Sequence, residues 1–553
     1  MLKLATILDN PGEPPVHTRY RDPRELKSLG YTGVVIYEST ALSGVESAEV
    51  VTSGEMRRWT INQMDHIARA IDDAHAAGLK VYLFYDVLVL PADVVNRNLI
   101  ALTCKNRPTT LCPASEQAIE LSTAALQSTL ARWPRVEGVV LRFGDTDARR
   151  LPHLVGNEIY SPHCPRCSQL GRADRVVNIV NRFHDLVVKQ MGKQLIARAW
   201  NVRPNGLHDS VELARRVIDR LPEPDGDRFL LSFKFTQTDF WRYQKWNPAS
   251  LACGDRPIIY ELQCQREFEG KGGIPNFQAS LWRDGYPETR EDDEPAGLKN
   301  VGDKVNLAGV WAWVRGGGWG GPFVKNETWI DANVFAAPRL ADDPSLDAAD
   351  LARAWVEQRL GITDAAITQS LVDILEHSPE IVRQAFYIGP FARTKTDAWH
   401  PSADWIQDDV LDAQAAWRIV QRLSDAQLDE LVSEKSRVVE QLGDDRAALQ
   451  RLVSDRNHAT LEPLVNTLTY AESFCETLRD LLAGLVAYRR YQKNHSPAAA
   501  TIARQKLLAA QSHWNHHTQR HGSMPGVATA FREEHFWEVT QDALAALSES
   551  TTT

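Results

Sequence analysis

The chain is predicted to fold as a (β/α)8 TIM barrel followed by an all-α C-terminal domain, and three observations predict it. Short β-rich runs alternate with helix-like segments through about residue 340. Eight such runs can be counted, and after Leu340 strand-like texture gives way to long helical patterns. Alternating β and α units imply a parallel sheet with right-handed crossovers, and eight units are what a closed barrel needs.

In order, the strands are read at KLATILDN (3–10), GYTGVVIYES (30–39), LKVYLFYDVLVL (79–90), EGVVLRFGD (137–145) and KQLIARAWNV (193–202). Two more lie within 229–270, and LAGVWAWVRGG (307–317) is the last. Helices are expected at Ile61–Ala77, Glu116–Trp133, Arg175–Met191 and Ser210–Arg220, with a long polar connection from Gln278 to Asn306. Beyond the ADDPS turn at 341–345, Leu, Ala, Glu and Arg recur at three- and four-residue spacing in 346–361, 425–442 and 467–492, the signature of amphipathic helices. The division expected is therefore 1–340 for the barrel and 341–553 for the helical domain.

Composition narrows the class. A chain of 553 residues, 43% hydrophobic and 24% charged, has the balance of a globular protein with sizeable cores. The net charge of -10 argues against a nucleic-acid surface as main partner. The start MLKLATILDN has no signal-peptide h-region, and no 18-residue apolar run follows, so a soluble cytoplasmic protein with no membrane partner is expected. Seven scattered cysteines are no disulfide framework. Cys164 and Cys167 have the spacing of half a zinc site or a redox motif. Cys104 and Cys112 could complete a zinc site only by folding, so structural thiols and no metal are expected. His513, His517 and His521 repeat every four residues, and a solvated or interdomain helix face is preferred to a metal site. Trp514, Phe536 and Trp537 near the chain's end could bury a homodimer interface.

Chemistry concentrates at the strand ends, where a barrel carries its functional groups. Strand alternation places Val140, Arg142 and Gly144 on one face, Ile196, Arg198 and Trp200 on another, and Ser232 with Lys234 on a third. Glu261, Gln263, Gln265 and Glu267 make one polar wall of the seventh strand. Buried cations cost several kcal/mol each unless paired. The three cations therefore demand anions: the chain's own Asp145, Asp239 and Glu267, a substrate anion, or both. Aromatic segments at 239–246 and 311–321, including Trp313, supply flat faces suited to sugar rings. Carboxylates ending strands four, six and seven suggest glycoside hydrolysis, one acid protonating the leaving oxygen while another carboxylate activates water. No phosphate loop, nucleotide fingerprint or G-x-S-x-G elbow competes.

KFTQTDFWRYQKWNP (234–248) followed by YELQCQREFEG (260–270) resembles the family 67 α-glucuronidases, and DANVFAAPRLADDP (331–344) with the helix LARAWVEQRLG is similar to the segment leading into that family's helical domain. The resemblance implies an exo-acting, inverting hydrolase that releases a uronic acid residue from an acidic oligosaccharide without metal or organic cofactor. It implies that Asp239 and Glu267 hold the attacking water, that Arg198 binds the uronate carboxylate and that Lys234 lines the sugar pocket, with Arg142 in place of a family lysine. Trp200, Arg266 and Trp313 complete the expected substrate contacts. The family's acid is a glutamate in a Ser-Glu-Gly turn. Here the strand runs RFGDTDARR, so Asp145 is expected as the acid, with Asp147 and Glu158 as rivals. The chain also starts directly at the first barrel strand, without that family's N-terminal β-domain, which makes it a divergent relative. A barrel glycosidase for a neutral sugar, or a non-catalytic carbohydrate-binding protein on the same fold, are the alternatives.

Overall fold

The computed structural model describes residues 1–10, 13–37, 54–142, 153–201, 206–291, 294–317, 326–395, 402, 405–407, 410–455, 461–522 and 537–549. Eight parallel strands close into a barrel: β1 (Leu2–Leu8), β2 (Gly33–Ile36), β3 (Lys80–Asp86), β4 (Gly138–Arg142), β5 (Gln194–Arg198), β6 (Phe229–Lys234), β7 (Pro257–Gln263) and β8 (Asn306–Gly316). They follow chain order around the barrel, which closes where β1 pairs β8, Leu2 opposite Gly309 and Leu8 opposite Gly316. Strands β4, β6 and β7 are buried along their whole length, as expected where helices cover one face and the barrel interior the other.

Capping residues place the helices. Ser115 accepts from the Ala118 amide at 3.2 Å to start α1 (Glu116–Arg132), and Ser210 accepts from Leu213 at 3.2 Å to start α2 (Val211–Ile218). The helix expected at 175–191 spans Arg172–His184 and continues as a wider π-type turn, Asp185–Gln190. The one expected at 61–77 begins earlier, Gly54–Ala76. Inside the polar connection before β8 lie two short helices, Ala279–Asp284 and Leu298–Val301.

After β8 come α3 (Thr328–Asp342), α4 (Ala348–Arg359), α5 (Ala365–Phe386), α6 (Ala413–Val420), α7 (Asp425–Asp455), α8 (Glu462–Asn494), α9 (Pro497–His521) and α10 (Glu538–Glu549). The expected segments 425–442 and 467–492 are thus parts of longer helices, because polar positions at their ends still carry helix formers. The barrel's apolar cluster runs on through Leu351–Leu375 and Leu449–Leu468, while a second cluster joins Ile381–Leu547 to Trp241, Tyr243 and Ile274 of the barrel loops. No helix among the described residues is long and apolar enough to cross a membrane.

The DANVF segment that carries part of the resemblance is spent on packing. Asp331 accepts from Tyr20 Oη at 2.6 Å, Trp355 Nε1 at 2.9 Å and Arg359 Nη2 at 2.8 Å. Asn333 donates to the carbonyls of Cys264 at 3.0 Å and Asn276 at 2.9 Å, which fixes α3 beneath the loop leaving β7.

The histidine repeat of α9 departs from the solvated or interdomain face that its spacing predicts: His513 stays about a third exposed, but the other two members are core. His517 and His521 are fully buried against Tyr470, and His517 also packs on Phe474 and Trp514, while His513 lies 3.2 Å from Asp480. The helix packs flat against α8, so one face of its turn-spaced row falls in the core. Trp514 is likewise core rather than an interface residue, and Phe536 lies outside the described residues.

Burial pushes His517 down to about 3 and His521 down to about 4 from the ordinary 6.5, helped at His517 by the neighbouring His521 and at His521 by Arg520. Both rings are neutral when folded and protonate when unfolded. Their stability contribution is therefore complete above about pH 6.5 and is lost as pH falls toward 4 and below. The thermal midpoint of the helical region should decline across that window. His517→Gln should flatten the decline, and circular-dichroism melts from pH 7 to pH 4 measure both. A wild-type midpoint independent of pH contradicts the burial assignment.

Candidate active site

Three ion pairs line the barrel interior and its C-terminal mouth; two join neighbouring or next-neighbouring strands, and the third joins β6 to the loop that follows it. In the deepest, Arg198 on β5 donates through Nε to Glu261 Oε1 at 2.9 Å and through Nη2 to Oε2 at 2.9 Å, and Ser232 on β6 donates to the same carboxylate at 2.8 Å. Arg198 and Glu261 are 1% and 0% exposed, so neither charge is solvated and the planar two-bond geometry stands in for water. Among the described residues, Arg198 Nη1 has no hydrogen-bond partner.

Arg142 at the end of β4 forks onto Asp86 at the end of β3, Nη2 to Oδ2 at 2.8 Å, and its Nη1 donates to Tyr37 Oη at 2.8 Å. Its donors are thus engaged by Asp86 of β3 and by Tyr37, just past β2. Asp86 is not among the sequence-predicted site residues, although a lone aspartate ending the buried run VYLFY is a signal for it.

Lys234, at the end of β6, pairs with Asp239. Its Nζ also lies 3.8 Å from the ring centre of Trp200, 4.5 Å from Phe240 and 4.8 Å from Trp313, an aromatic cage whose ring faces attract the ammonium. Trp200 and Trp313, expected as substrate contacts, are here two of the three rings around the Lys234 ammonium. The Asp239 side chain is 21% exposed against 2% for Lys234, which places the carboxylate outward of the cation.

Both carboxylate loops are strained where they matter. Asp239 and Phe240 have φ of 41° and 63°, and Arg266, just before Glu267, has φ of 58°. Left-handed conformations in non-glycine residues cost of order 1–3 kcal/mol each and persist only when surroundings over-determine them. Here Arg266 supplies the determination. Its Nη2 donates to the Phe240 carbonyl at 2.6 Å and Tyr286 Oη adds a bond of 3.1 Å, while Arg266 itself is held by Glu269 at 2.8 and 2.9 Å. Burial opposes ionisation of Glu269, yet Arg266, reinforced by Arg242 and Asn276, holds its carboxyl below the ordinary carboxylate range. Arg266 was expected to touch substrate. It is 2% exposed, and its bond to the Phe240 carbonyl positions the Asp239 loop.

Glu267, 5% exposed, makes no ion pair among the described residues. Its backbone N–H donates to Gln263 Oε1 at 3.1 Å, which turns the amide so that Nε2, buried and without a hydrogen-bond partner among the described residues, comes to the same place as the Glu267 carboxylate. The place is Gly317, where a Cβ would lie 3.1 Å from both Gln263 Nε2 and Glu267 Oε2. With φ of 97° this position suits glycine alone. A donor and a carboxylate converging on a glycine can grip a water or a sugar hydroxyl.

Asp145 and Asp147 lie outside the described residues. Glu158 accepts from Arg107 Nη1 at 3.1 Å and pairs with His163, beside a cluster of cysteines in the loop after β4.

No known protein-family profile matches the chain, and no curated protein matches it in sequence. Among solved structures, a GH138 enzyme targeting pectin rhamnogalacturonan II superposes with a TM-score of 0.59 at 11% identity, over 99% of this chain and 83% of that one. The O-GlcNAc hydrolase of Thermobaculum terrenum gives 0.44 at 10% identity over 100% and 94%, and CpGH84B gives 0.41 at 7% identity over 99% and 76%. These neighbours are glycoside hydrolases, and the first likeness is one of fold, agreeing with the (β/α)8 barrel and its helical extension.

Neutralising one partner of the Arg198–Glu261 pair should destabilise strongly, because the remaining charge is buried without compensation. Glu261→Gln is expected to cost about 3–5 kcal/mol in urea unfolding. Arg198→Met combined with Glu261→Leu should recover most of it. A single-variant loss below about 1 kcal/mol would mean that water reaches the pair.

Proposed function

We propose that this chain is an exo-acting glycoside hydrolase that releases a uronic acid residue from an oligosaccharide with inversion. The observation that carries it is the convergence of Glu267 and the Gln263 amide on Gly317, at a mouth that also presents Lys234 with Asp239. The ordered likeness to family 67 in the segments containing Lys234, Asp239 and Glu267 supports the substrate class. A fold neighbour that targets the pectin glycan rhamnogalacturonan II supports a glycan substrate.

In this reading, Glu267 is the base. It carries no ion pair among the described residues, so its carboxylate is the one available to take a proton from water, while Gln263 Nε2 donates to the water oxygen and fixes its lone pair toward the anomeric carbon. Asp239, neutralised by Lys234, holds the same water or a ring hydroxyl. Arg198 Nη1 and Lys234 bind the uronate carboxylate, and Asp145 protonates the leaving oxygen from the opposite side. An inverting pair stands about 6.5–9.5 Å apart, leaving room for the water.

Glu267→Gln should lower kcat by about 10²–10⁴-fold at nearly unchanged KM. Asp145→Asn should lose far more activity on natural glycosides than on aryl glycosides with very good leaving groups; equal losses would place the acid elsewhere. Proton NMR of the first product formed from aryl and oligosaccharide uronides, pectic fragments included, should show the inverted anomer, and a retained anomer defeats the mechanism.

A second reading has an observation of its own. Arg142, Arg198 and Lys234 each already face a carboxylate of this chain, which is what a glycosidase for a neutral sugar would require. Turnover of neutral and uronate glycosides at equal concentration separates the two. Lys234→Met should raise KM for the uronide selectively if the first reading holds.

A further inference from the structure

Four cysteines from two separate loops meet at the C-terminal end of the barrel. Cys104 and Cys112 bracket a small hairpin, Thr103–Cys104 against Arg107–Leu111, in the connection after β3. Cys164 caps the short turn Pro165–Ser168 in the connection after β4, and Cys167 lies within it. All four are buried and none is in a disulfide. Their sulfurs lie within 4.8 Å of one another, with separations of 3.5 Å for Cys164–Cys167, 3.7 Å for Cys112–Cys164 and 3.9 Å for Cys104–Cys167.

These separations discriminate. A disulfide needs about 2.05 Å between sulfurs. A tetrahedral zinc tetrathiolate with Zn–S bonds of about 2.3 Å puts its sulfurs about 3.8 Å apart. The surroundings suit thiolates too. The backbone N–H groups of His163 and Cys164 donate to Cys167 Sγ at 3.2 and 3.4 Å. Arg166 Nε donates to Cys112 Sγ at 3.3 Å, with its other nitrogens anchored on the carbonyls of Ala101 at 2.8 Å and Thr103 at 2.9 Å. Donors fixed by their own partners and aimed at sulfur are how a protein orients metal ligands and offsets their charge.

We propose that Cys104, Cys112, Cys164 and Cys167 bind one zinc ion in a closed, structural site that staples the loop after β3 to the loop after β4. On binding, four thiols release four protons and the site becomes dianionic. Arg166 touches that charge directly, and Arg175 approaches through its 3.1 Å bond to the Cys167 carbonyl. With four protein ligands no coordination position is left for water or substrate, so the ion does no chemistry. Its effect is mechanical. The antiparallel pairing of Leu90–Pro91 with Leu154–Val155 joins the same two loops, and the stretch between Arg142 and His153, which contains Asp145, is bounded by β4 and by this stapled segment. Glu158, paired to Arg107 and His163 next to the cysteines, belongs to the staple.

The test is metal analysis of the full-length chain purified without chelator. Inductively coupled plasma mass spectrometry should find one zinc per chain, and a mercurial reagent should release it in step with four thiols. Cobalt(II) substitution should give the intense visible bands of a tetrahedral tetrathiolate. Cys104→Ser with Cys112→Ser should lose the metal, whereas Cys253→Ser, a buried cysteine elsewhere, should keep it. If the double variant fails to fold, the zinc count and cobalt spectrum of the wild-type chain decide. Wild-type protein without metal, with iron in its place, or lighter by four hydrogens through two disulfides overturns the proposal.

Discussion

The guanidinium of Arg198 and the carboxylate of Glu261 face each other inside a barrel that admits almost no water to them, and the arrangement of the mouth follows from that pair. Taking two ions out of water costs several kcal/mol each, recovered only if the geometry between them is close and their remaining bonds are met. The two-bond fork and the Ser232 hydroxyl meet that condition. They also bind β5, β6 and β7 into one register, since a slip of one residue would turn Arg198, Ser232 or Glu261 out of the barrel. Everything above the pair, from the Lys234 cage to the Gly317 turn, is placed by strands whose stagger this interaction helps to set.

Above it, charge is arranged in layers. Arg142 with Asp86 lies to one side and Lys234 with Asp239 at the rim. Outward along β7 and its loop come Gln263 and then Glu267. Charges are matched at depth and one carboxylate is left without a cation at the mouth, among the described residues. An unmatched carboxylate beside an unmatched amide donor is costly to keep for packing alone, and two left-handed turns are held in place to keep it there. Fold and strain thus concentrate on the residues a hydrolytic reaction would use.

The loops that carry this machinery are restrained from two directions. The Asp239 and Glu267 loops rest on Arg266, Glu269 and Tyr387, and the last of these comes from the helical region, its hydroxyl donating to Glu269 at 2.8 Å. The loops after β3 and β4 are joined by the cysteine cluster instead. A barrel supplies rigid strands but not rigid loops, and these two devices supply what it lacks.

Sequence alone determined the eight strands, their order, most of the helices and the ring of charge at the strand ends, because hydrophobic periodicity and capping are local properties that survive without knowledge of partners. It also placed Lys234, Asp239 and Glu267 at the rim of a barrel mouth. Pairings were another matter. The three cations were set against Asp145, Asp239 and Glu267 as a group, but Lys234 with Asp239, Arg142 with Asp86, Arg198 with Glu261 and Arg266 with Glu269 join side chains whose meeting depends on strand stagger and loop path, which residue spacing does not encode. For the same reason the sequence leaves open whether Cys104 and Cys112 meet Cys164 and Cys167, and it reads His517 and His521 as a solvated or interdomain face. Only the tertiary structure decides which distant groups are brought together and which faces lose their water, since both result from packing the elements and not from forming them.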